Sequence, residues 1–176
     1  MEKIIIYVSG LDRVGIISDI TKKINSLNAN IETSKMIKLG QDFNMLVLVS
    51  LNSGDINTLK KSLSEYNDLS INIKQTVLDN SSAKDKFVFI LKGADNEGIV
   101  HYCTQLFSKL NINIIDLETK LLNAPITGTP LFYIKSIILI PKEEDIMDKL
   151  EEGIANIENE KNVAVKLSKY NSDLNY

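Results

Sequence analysis

The sequence is poor in the residue types that most often perform catalysis or bind metals. Its 176 residues include one histidine, one cysteine and no tryptophan. A single cysteine cannot form an intramolecular disulfide, and so few histidine and cysteine side chains offer no cluster with metal-ligand spacing. We therefore expect no disulfide, no metal site, no cofactor and no catalytic residues.

Long apolar runs and an excess of positive charge are also missing. No apolar run approaches the roughly 20 residues needed to span a bilayer, and the N-terminus lacks a signal-peptide pattern. The net charge is −3, so no overall positive field exists to attract a phosphate backbone. These absences predict a cytoplasmic protein with no nucleic acid and no membrane as a direct partner.

The sequence does contain an internal repeat. Hydrophobic residues make up 44% of the chain, which is ample for buried cores in one large or two small domains. A shift of 83 residues superimposes Gly10, Asp12 and Gly15 on Gly93, Asp95 and Gly98, with ten identities in 29 positions from Lys3 to Ile31. The two halves are therefore predicted to share one architecture.

The first half has the pattern of alternating short strands and helices. Its apolar run IIIYV is typical of a buried strand, and the segment after Gly15 has apolar residues at helical spacing. The remaining predicted elements are strands at Ile31 to Leu39 and Phe43 to Leu51, with a turn at Gly40-Gln41-Asp42, then a helix from about Asp55 and a strand at Leu69 to Leu78.

The second half predicts the same order of elements. Its run FVFIL corresponds to the first strand, and a helix follows Gly98. The other predicted elements are strands at Ile112 to Leu122 and Leu131 to Ile140, a helix from about Lys142 to Ile157 and a strand at Asn162 to Leu167. Asp79 to Asp85 has the polar composition of a linker.

The order βαββαβ, made twice, indicates an α+β protein of two ferredoxin-like domains, each an antiparallel sheet with helices on one face. We predict domains at residues 1–80 and 85–170. Two strands, Ile4 to Val8 and Met45 to Val49, are apolar on both alternating faces, although helices can cover only one. The second face must be buried by the sister domain or by another chain, so we expect a homodimer.

The stretch SGLDRVGI, Ser9 to Ile16, joins the first strand to the first helix. We expect the strand to end at Gly10, which can adopt positive φ in a turn, and Asp12 to cap the helix. Gly15 would allow a ligand or a neighbouring chain close to the backbone, where the free N–H groups of a helix N-terminus suit an anion. A plain turn with a cap and an anion site are both open interpretations.

Three further polar residues have two interpretations each. Arg13 is the only arginine beside 19 lysines, and its planar fork could hold a carboxylate or remain a solvated surface side chain. Asn28 and Asn30, which recur as Asn111 and Asn113, could terminate helices or contact a ligand.

The half-repeat VSGLDRVGIISDITKKINSLNANI, with its strand order, resembles the ACT domain, a small module that binds amino acids in many metabolic proteins. The second copy, with NAPITGTPLF followed by a strand ending in Pro141, is similar to the second domain of the glycine cleavage system transcriptional repressor family. The tandem arrangement over nearly the whole chain is similar to that family too.

The resemblance implies a regulator with no DNA-binding domain of its own, which senses a small amino acid such as glycine and contacts a separate DNA-binding regulator protein. In ACT domains the ligand lies where the loop after the first strand meets the second strand of an adjoining domain. The candidate ligand-binding residues are Gly10, Leu11, Asp12, Arg13, Val14, Gly15, Ile16, Asn28, Asn30, Gly93, Asp95, Asn96, Gly98, Ile99, Asn111 and Asn113. Asn96-Glu97 replaces Arg13-Val14 in the second copy, which puts a carboxylate ligand there in doubt.

Other protein classes share this strand order. An acylphosphatase-like hydrolase would need an anion loop, but Asp12 beside Arg13 would repel a phosphate. An RNA-recognition domain would need exposed aromatics and a basic surface. His101 lies off the apolar stripe of its helix and Cys103 occupies the repeat position of Ile20, so neither predicts catalysis. An interaction or scaffold protein without a ligand is the remaining alternative.

The connection from Asn123 to Pro130 replaces the short turn at Gly40. It contains two prolines and a glycine, and hairpin loops of this length are uncommon without a role. We interpret it as a surface that contacts a partner or covers a ligand.

Overall fold

The computed structural model describes residues 1–77, 84–94, 97–123 and 130–171. The chain divides into two compact units, Met1–Asp79 and Asn80–Tyr176. Each unit has its own hydrophobic core. The loop interpreted as a partner surface has its residues 124–129 outside the described residues, so its role stays a prediction.

The first unit is a four-stranded antiparallel sheet with two helices. Its strands follow the order β2-β3-β1-β4 across the sheet. The elements are β1 Glu2–Leu11, α1 Ile16–Asn25, β2 Asn30–Leu39, β3 Asp42–Leu51, α2 Ile56–Leu63 and β4 Leu69–Gln75. Gly40 has φ +61° in the two-residue turn between β2 and β3, where a left-handed conformation favours glycine.

The second unit repeats this topology. Its strand order, β6-β7-β5-β8, is equivalent to that of the first unit. The elements are β5 Lys84–Ala94, α3 Ile99–Lys109, β6 Asn113–Asn123, β7 Pro130–Pro141, α4 Ile146–Lys161 and β8 Val163–Lys169. The predicted α+β class with two ferredoxin-like domains is therefore confirmed.

Three predicted boundaries are wrong. Helix α4 begins at Ile146 and not at Lys142, because Asp145 has φ 64° and its carbonyl accepts the first helical bond, from Lys149 N, at 3.1 Å. The helix continues past Ile157 until Asn162, which has φ 51° and forms the left-handed C-cap. Lys84 and Asp85, predicted as linker, belong to β5.

One side of each helix supplies the core, as the periodicity predicts. Ile16, Ile20 and Ile24 of α1 are each at most 2% exposed and pack in one cluster with the inward side chains of β1 and β3. In the second unit Cys103 takes the place of Ile20 and is 1% exposed. Burying such a stripe removes apolar surface from water, which is the main favourable term in folding.

The face of the first sheet opposite the core keeps apolar side chains in contact with solvent. Tyr7 is 38% exposed and Leu46 is 46% exposed, and the two are paired across β1 and β3. Apolar side chains therefore do occur on both faces of these strands, as the sequence indicates. The homodimer inferred from this pattern stays a prediction. Among the described residues, no helix combines the length and apolarity needed to cross a bilayer.

Candidate functional site

The corner after β1, which contains the repeated glycines of the first half, is built differently from its prediction. Gly10 lies inside β1, paired with Phe43 on one side and Leu69 on the other. It has no positive φ. A Cβ atom at Gly10 would lie 2.8 Å from the carbonyl oxygen of Asp68 and 2.8 Å from Leu69 Cδ2. Glycine is therefore required here for the close approach of β4 and not for a turn.

The left-handed residue of the corner is Gly15. It has φ 96° and is the N-cap residue of α1, with no side-chain cap. Its carbonyl accepts the first helical hydrogen bond, from Asp19 N, at 2.8 Å. The N–H groups of Ile16, Ile17 and Ser18 precede that bond and carry the partial positive charge of a helix N-terminus.

Asp12 does not cap the helix, so that prediction is wrong. Its carboxylate accepts a hydrogen bond from Lys38 Nζ at 2.6 Å, and its backbone N–H donates to the carbonyl of Gln41 at 2.9 Å. Asp12 therefore ties the corner to the β2–β3 hairpin. Gly15, three residues later in the chain, occupies the capping position instead.

Arg13 is held between two carboxylates and is not a free surface side chain. Its Nε donates to Asp68 Oδ2 at 2.6 Å, and its Nη1 donates to Asp19 Oδ2 at 2.9 Å. These hydrogen bonds raise the pKa of Arg13, and the one that it donates to Asp68 is the larger cause. We call Arg13, Asp19 and Asp68 the arginine cluster.

The arginine cluster borders an open groove at the same end of the first sheet. The groove has a volume of about 740 Å³, within the range of small-molecule sites. Asp68 belongs both to the cluster and to the wall of the groove. The lining residues are Ser9, Gly10, Leu39, Asp42, Phe43, Asn44, Asn67, Asp68, Leu69 and Ser70. Leu11 and Val14 are exposed near the corner, at 67% and 101%.

Asn28 and Asn30 lie at the opposite end of the first unit. Asn30 pairs with Ser50, which pairs with Lys3 at the start of β1, so it lies about 23 Å along the strands from Gly10. Asn28 has φ 51° and Asn111 has φ 53°, as expected of residues that terminate helices. Within one unit these asparagines and the corner do not form a single site.

The second unit does not repeat the arginine cluster. Gly98 has φ 77° and caps α3, directly before Ile99, as Gly15 caps α1. Asp95 and Asn96 lie outside the described residues. The repeat places Asn96 opposite Arg13 and Tyr102 opposite Asp19. Sheet register places Asn162 opposite Asp68, since Gly93 pairs with Val163 as Gly10 pairs with Leu69.

A separate groove of the second unit contains two other predicted residues. Asn111 and Asn113 line it together with Lys84 and Thr104, and its volume is about 390 Å³. It lies at the start of β5, which is the opposite end of the sheet from Gly98. The predicted residues of this unit are therefore also divided between two places.

The single cysteine and the single histidine of the chain lie in different environments on α3. Cys103 is buried, and burial raises the pKa of its thiol to about 11, so the nucleophilic thiolate is scarce at neutral pH. His101 is exposed on α3. Within the described ranges, no three histidine, cysteine or acidic side chains converge as metal ligands would.

The structure also identifies residues at the corner that sequence reasoning missed. Asp68 lies 55 residues from Arg13 in the chain, so no local motif could connect them. Lys38, near the C-terminal end of β2, likewise contacts Asp12 although the two residues are 26 positions apart. Asp19 could have been found from the sequence, because it lies in the first turn of the helix that follows Arg13.

The Arg13–Asp68 contact predicts a pH dependence that a single variant can test. The hydrogen bond from Arg13 is the main cause that lowers the pKa of Asp68. Because the folded-state pKa is depressed, the stabilisation is present above the usual aspartate pKa of about 3.9 and is lost as the pH falls through the lowered value. In Arg13→Gln, the pKa of Asp68 should return towards its usual range, as measured by carbon NMR titration of its carboxyl group.

The matched control for this titration is Lys23→Gln. Lys23 forms a comparable surface ion pair with Glu65, with an N–O distance of 2.6 Å. This variant should leave the pKa of Asp68 unchanged. Equal Asp68 pKa values in wild type and Arg13→Gln would contradict the assignment of the shift to Arg13.

Comparison with known proteins agrees with this architecture. The family model of the ACT domain matches residues 2–78, which is nearly all of the first unit. The glycine cleavage system transcriptional repressor of Escherichia coli (strain K12) is 28% identical over 121 residues, which are 66% of this chain. The chain spans 64% of the length of that relative.

Two solved structures cover almost the whole chain. An unknown protein from Galdieria sulphuraria is 32% identical, with a TM-score of 0.86 over 97% of this chain and 99% of that one. A protein assigned as a glycine cleavage system transcriptional repressor is 20% identical, with a TM-score of 0.69 over 97% of this chain and 98% of that one. At 20% identity this second similarity shows the fold alone, and it extends over both units.

Proposed function

We infer that this chain, whose first unit matches the ACT-domain family model and which resembles the glycine cleavage system transcriptional repressor, is a regulator that responds to a small amino acid. Glycine or a similar amino acid would bind at the corner of the first unit, beside the arginine cluster. The observation that carries the proposal is the groove of about 740 Å³ whose wall includes Asp68, the partner of Arg13. Arg13 itself does not line the groove but pairs with Asp68 in its wall, so a guanidinium and a carboxylate lie together beside it, as suits a ligand that has both a carboxylate and an ammonium group.

The energetics of so small a ligand are compatible with sensing. Glycine has five heavy atoms, and the best tiny ligands gain at most about 1.5 kcal/mol per atom. Binding is then limited to about 7 to 8 kcal/mol, which corresponds to a dissociation constant no tighter than about micromolar. Such a site would be filled only when the amino acid is abundant, as a regulator requires.

The regulatory output would pass through protein contacts. The E. coli relative is named as a transcriptional repressor, whereas the present chain has a net charge of −3 and no basic field for nucleic acid. We propose that it contacts a DNA-binding regulator in the cytoplasm and acts as a homodimer. The exposed apolar side chains Tyr7 and Leu46 support burial of this sheet face by another protein surface.

A thermal-shift screen of the twenty amino acids tests the ligand response. One or two of them should raise the melting temperature of the wild type at millimolar concentration, because a ligand that binds only the folded state stabilises it. Arg13→Gln should lose this response, since it removes the fork that would hold the carboxylate. Lys23→Gln, which removes the pair with Glu65 and the contact with the Tyr66 ring but leaves Arg13 in place, should keep it.

The result also separates this proposal from its alternative. If no amino acid raises the melting temperature of the wild type, the chain is an interaction protein without a ligand. A response that survives in Arg13→Gln would place the ligand away from the arginine cluster.

A further inference from the structure

We propose that the free edge of β4 and the groove between β4 and α2 bind an extended segment of another protein, with an acidic side chain at its centre, as an added strand of the first sheet. None of the residues that line this groove also lines the groove at the corner after β1. The inference goes beyond the proposed function, because it needs no amino acid ligand and assigns a different surface for protein contact.

The hydrogen-bond ladder identifies the backbone groups of β4 that face outward. Strand β1 lies on one side of β4, and within the described residues no strand pairs with its other side. Just after β4, the N–H of Thr76 donates to the carbonyl of Lys3 at 2.9 Å. Because successive residues of an antiparallel strand bond alternately to opposite sides, Ile71, Ile73 and Gln75 direct their N–H and C=O groups away from β1. Such a row of backbone groups is a template for another strand.

Two cavities lie between α2 and this edge of β4. Each has a volume of about 300 Å³. Lys60 and Ile73 line both of them, so the cavities are neighbours along the strand. The half-buried side chains of Ile71 and Ile73 form part of their walls. Since alternate side chains of a strand share one face, the two cavities can take alternate side chains of one bound segment, as in recognition by strand addition.

The charge of the groove indicates an acidic side chain in the bound segment. Lys60 is exposed and borders both cavities, and none of the ion pairs among the described residues includes it. The described lining has one carboxylate, that of Glu2, which accepts a hydrogen bond from the Gln75 side chain. A carboxylate opposite Ile73 would therefore pair with Lys60, and a cation there would be repelled.

The second unit shows the same kind of edge closed by a side chain. Val165 of β8 occupies the register position of Ile71. Its outward N–H donates to Glu158 Oε1 of α4 at 2.7 Å, so the helix blocks the place where a further strand would bind. Among the described residues, no side chain forms such a hydrogen bond with Ile71. The edge of β4 is therefore open where that of β8 is blocked.

Nitrogen–proton NMR spectra with a synthetic peptide test the proposal. The probe is acetyl-Thr-Val-Thr-Glu-Thr-Val-Thr-amide, whose valine and glutamate side chains share one face of an extended strand. At millimolar concentration it should shift the amide signals of Ile71, Ile73 and Gln75 and slow their hydrogen exchange, because new hydrogen bonds protect them. The amide of Val165, already bonded to Glu158, should not shift. The same peptide with lysine in place of glutamate should bind at least about fivefold more weakly.

Two variants separate the contribution of charge from that of the backbone. Lys60→Gln should weaken binding about fivefold, the largest effect expected of one exposed ion pair. Its matched control is Lys61→Gln, the next lysine of α2, which lines neither cavity and should leave the affinity unchanged. Gln75→Pro removes an outward N–H that β1 does not use, so the fold should persist while the affinity falls about fivefold.

The outcomes distinguish this inference from its alternatives. Amide signals of β4 that do not move at millimolar peptide would overturn it, and so would equal binding of the glutamate and lysine peptides or an unchanged affinity in Lys60→Gln. If wild type is a dimer and Gln75→Pro a monomer, the edge binds a second copy of this chain and the inference is wrong. Failure of the amino acid screen would remove the proposed ligand response but not this inference.

Discussion

Replacing Phe107 by alanine is expected to lower the free energy of unfolding of the second unit by about 3–5 kcal/mol. Phe107 of α3 and Phe89 of β5 are at most 1% exposed, and their rings meet edge to face with centroids 5.1 Å apart. The substitution removes the transfer energy of a whole ring and leaves a cavity against Phe89. For a unit of this size, the melting temperature should fall by about 15 °C or more.

Differential scanning calorimetry would measure this loss, because the two units can unfold in separate transitions. The control is Leu121→Ala, on the same unit but 64% exposed, which should change stability by no more than about 0.5 kcal/mol. A loss below about 1 kcal/mol in Phe107→Ala would contradict the packing described for α3 against β5.

Replacing Gly93 by alanine is expected to cost about 3 kcal/mol, although it adds a single methyl group. The new Cβ would lie 2.4 Å from Val163 Cγ1 and 2.9 Å from Val163 Cα. The Cγ1 atom could move by rotation, but the Cα atom could move only with the backbone of β8. The strand pairing of β5 with β8 would therefore be distorted, and amide hydrogen exchange in β8 should accelerate.

A second glycine provides the control for steric crowding. No heavy atom lies within 4 Å of the Cβ position of Gly54, so Gly54→Ala should be neutral or slightly stabilising. If Gly93→Ala proved as stable as wild type, the close approach of β8 would be refuted. The result would then also weaken the equivalent argument for Gly10 against Asp68 and Leu69.

The fold was predictable because its signals are local and occur twice. Strands β1 and β5 are short apolar runs, and helices α1 and α3 have matching apolar stripes, so each element was predicted from two independent copies. The boundaries of α4 were less predictable. Asp145 begins the helix and Asn162 ends it through left-handed conformations, which no apolar periodicity reveals.

The corner between β1 and α1 was predictable only in its location. Periodicity and glycine spacing indicated the corner between β1 and α1, and the structure has Gly15 at the helix start there. The roles of single residues were not predictable. Asp12 pairs with Lys38 and does not cap the helix, and Gly10 accommodates β4 and does not turn the chain.

The amino acid sequence by itself determined the duplicated architecture of this protein, because hydrophobic periodicity acts over the few residues of one strand or helix. Only the tertiary structure decided which charged groups meet at the corner. Arg13 and Asp68 are 55 residues apart in the chain, and they come together because β1 and β4 are neighbours in the sheet. Ion pairs depend on distance in space, and that distance is set by the pairing of strands and not by any sequence motif.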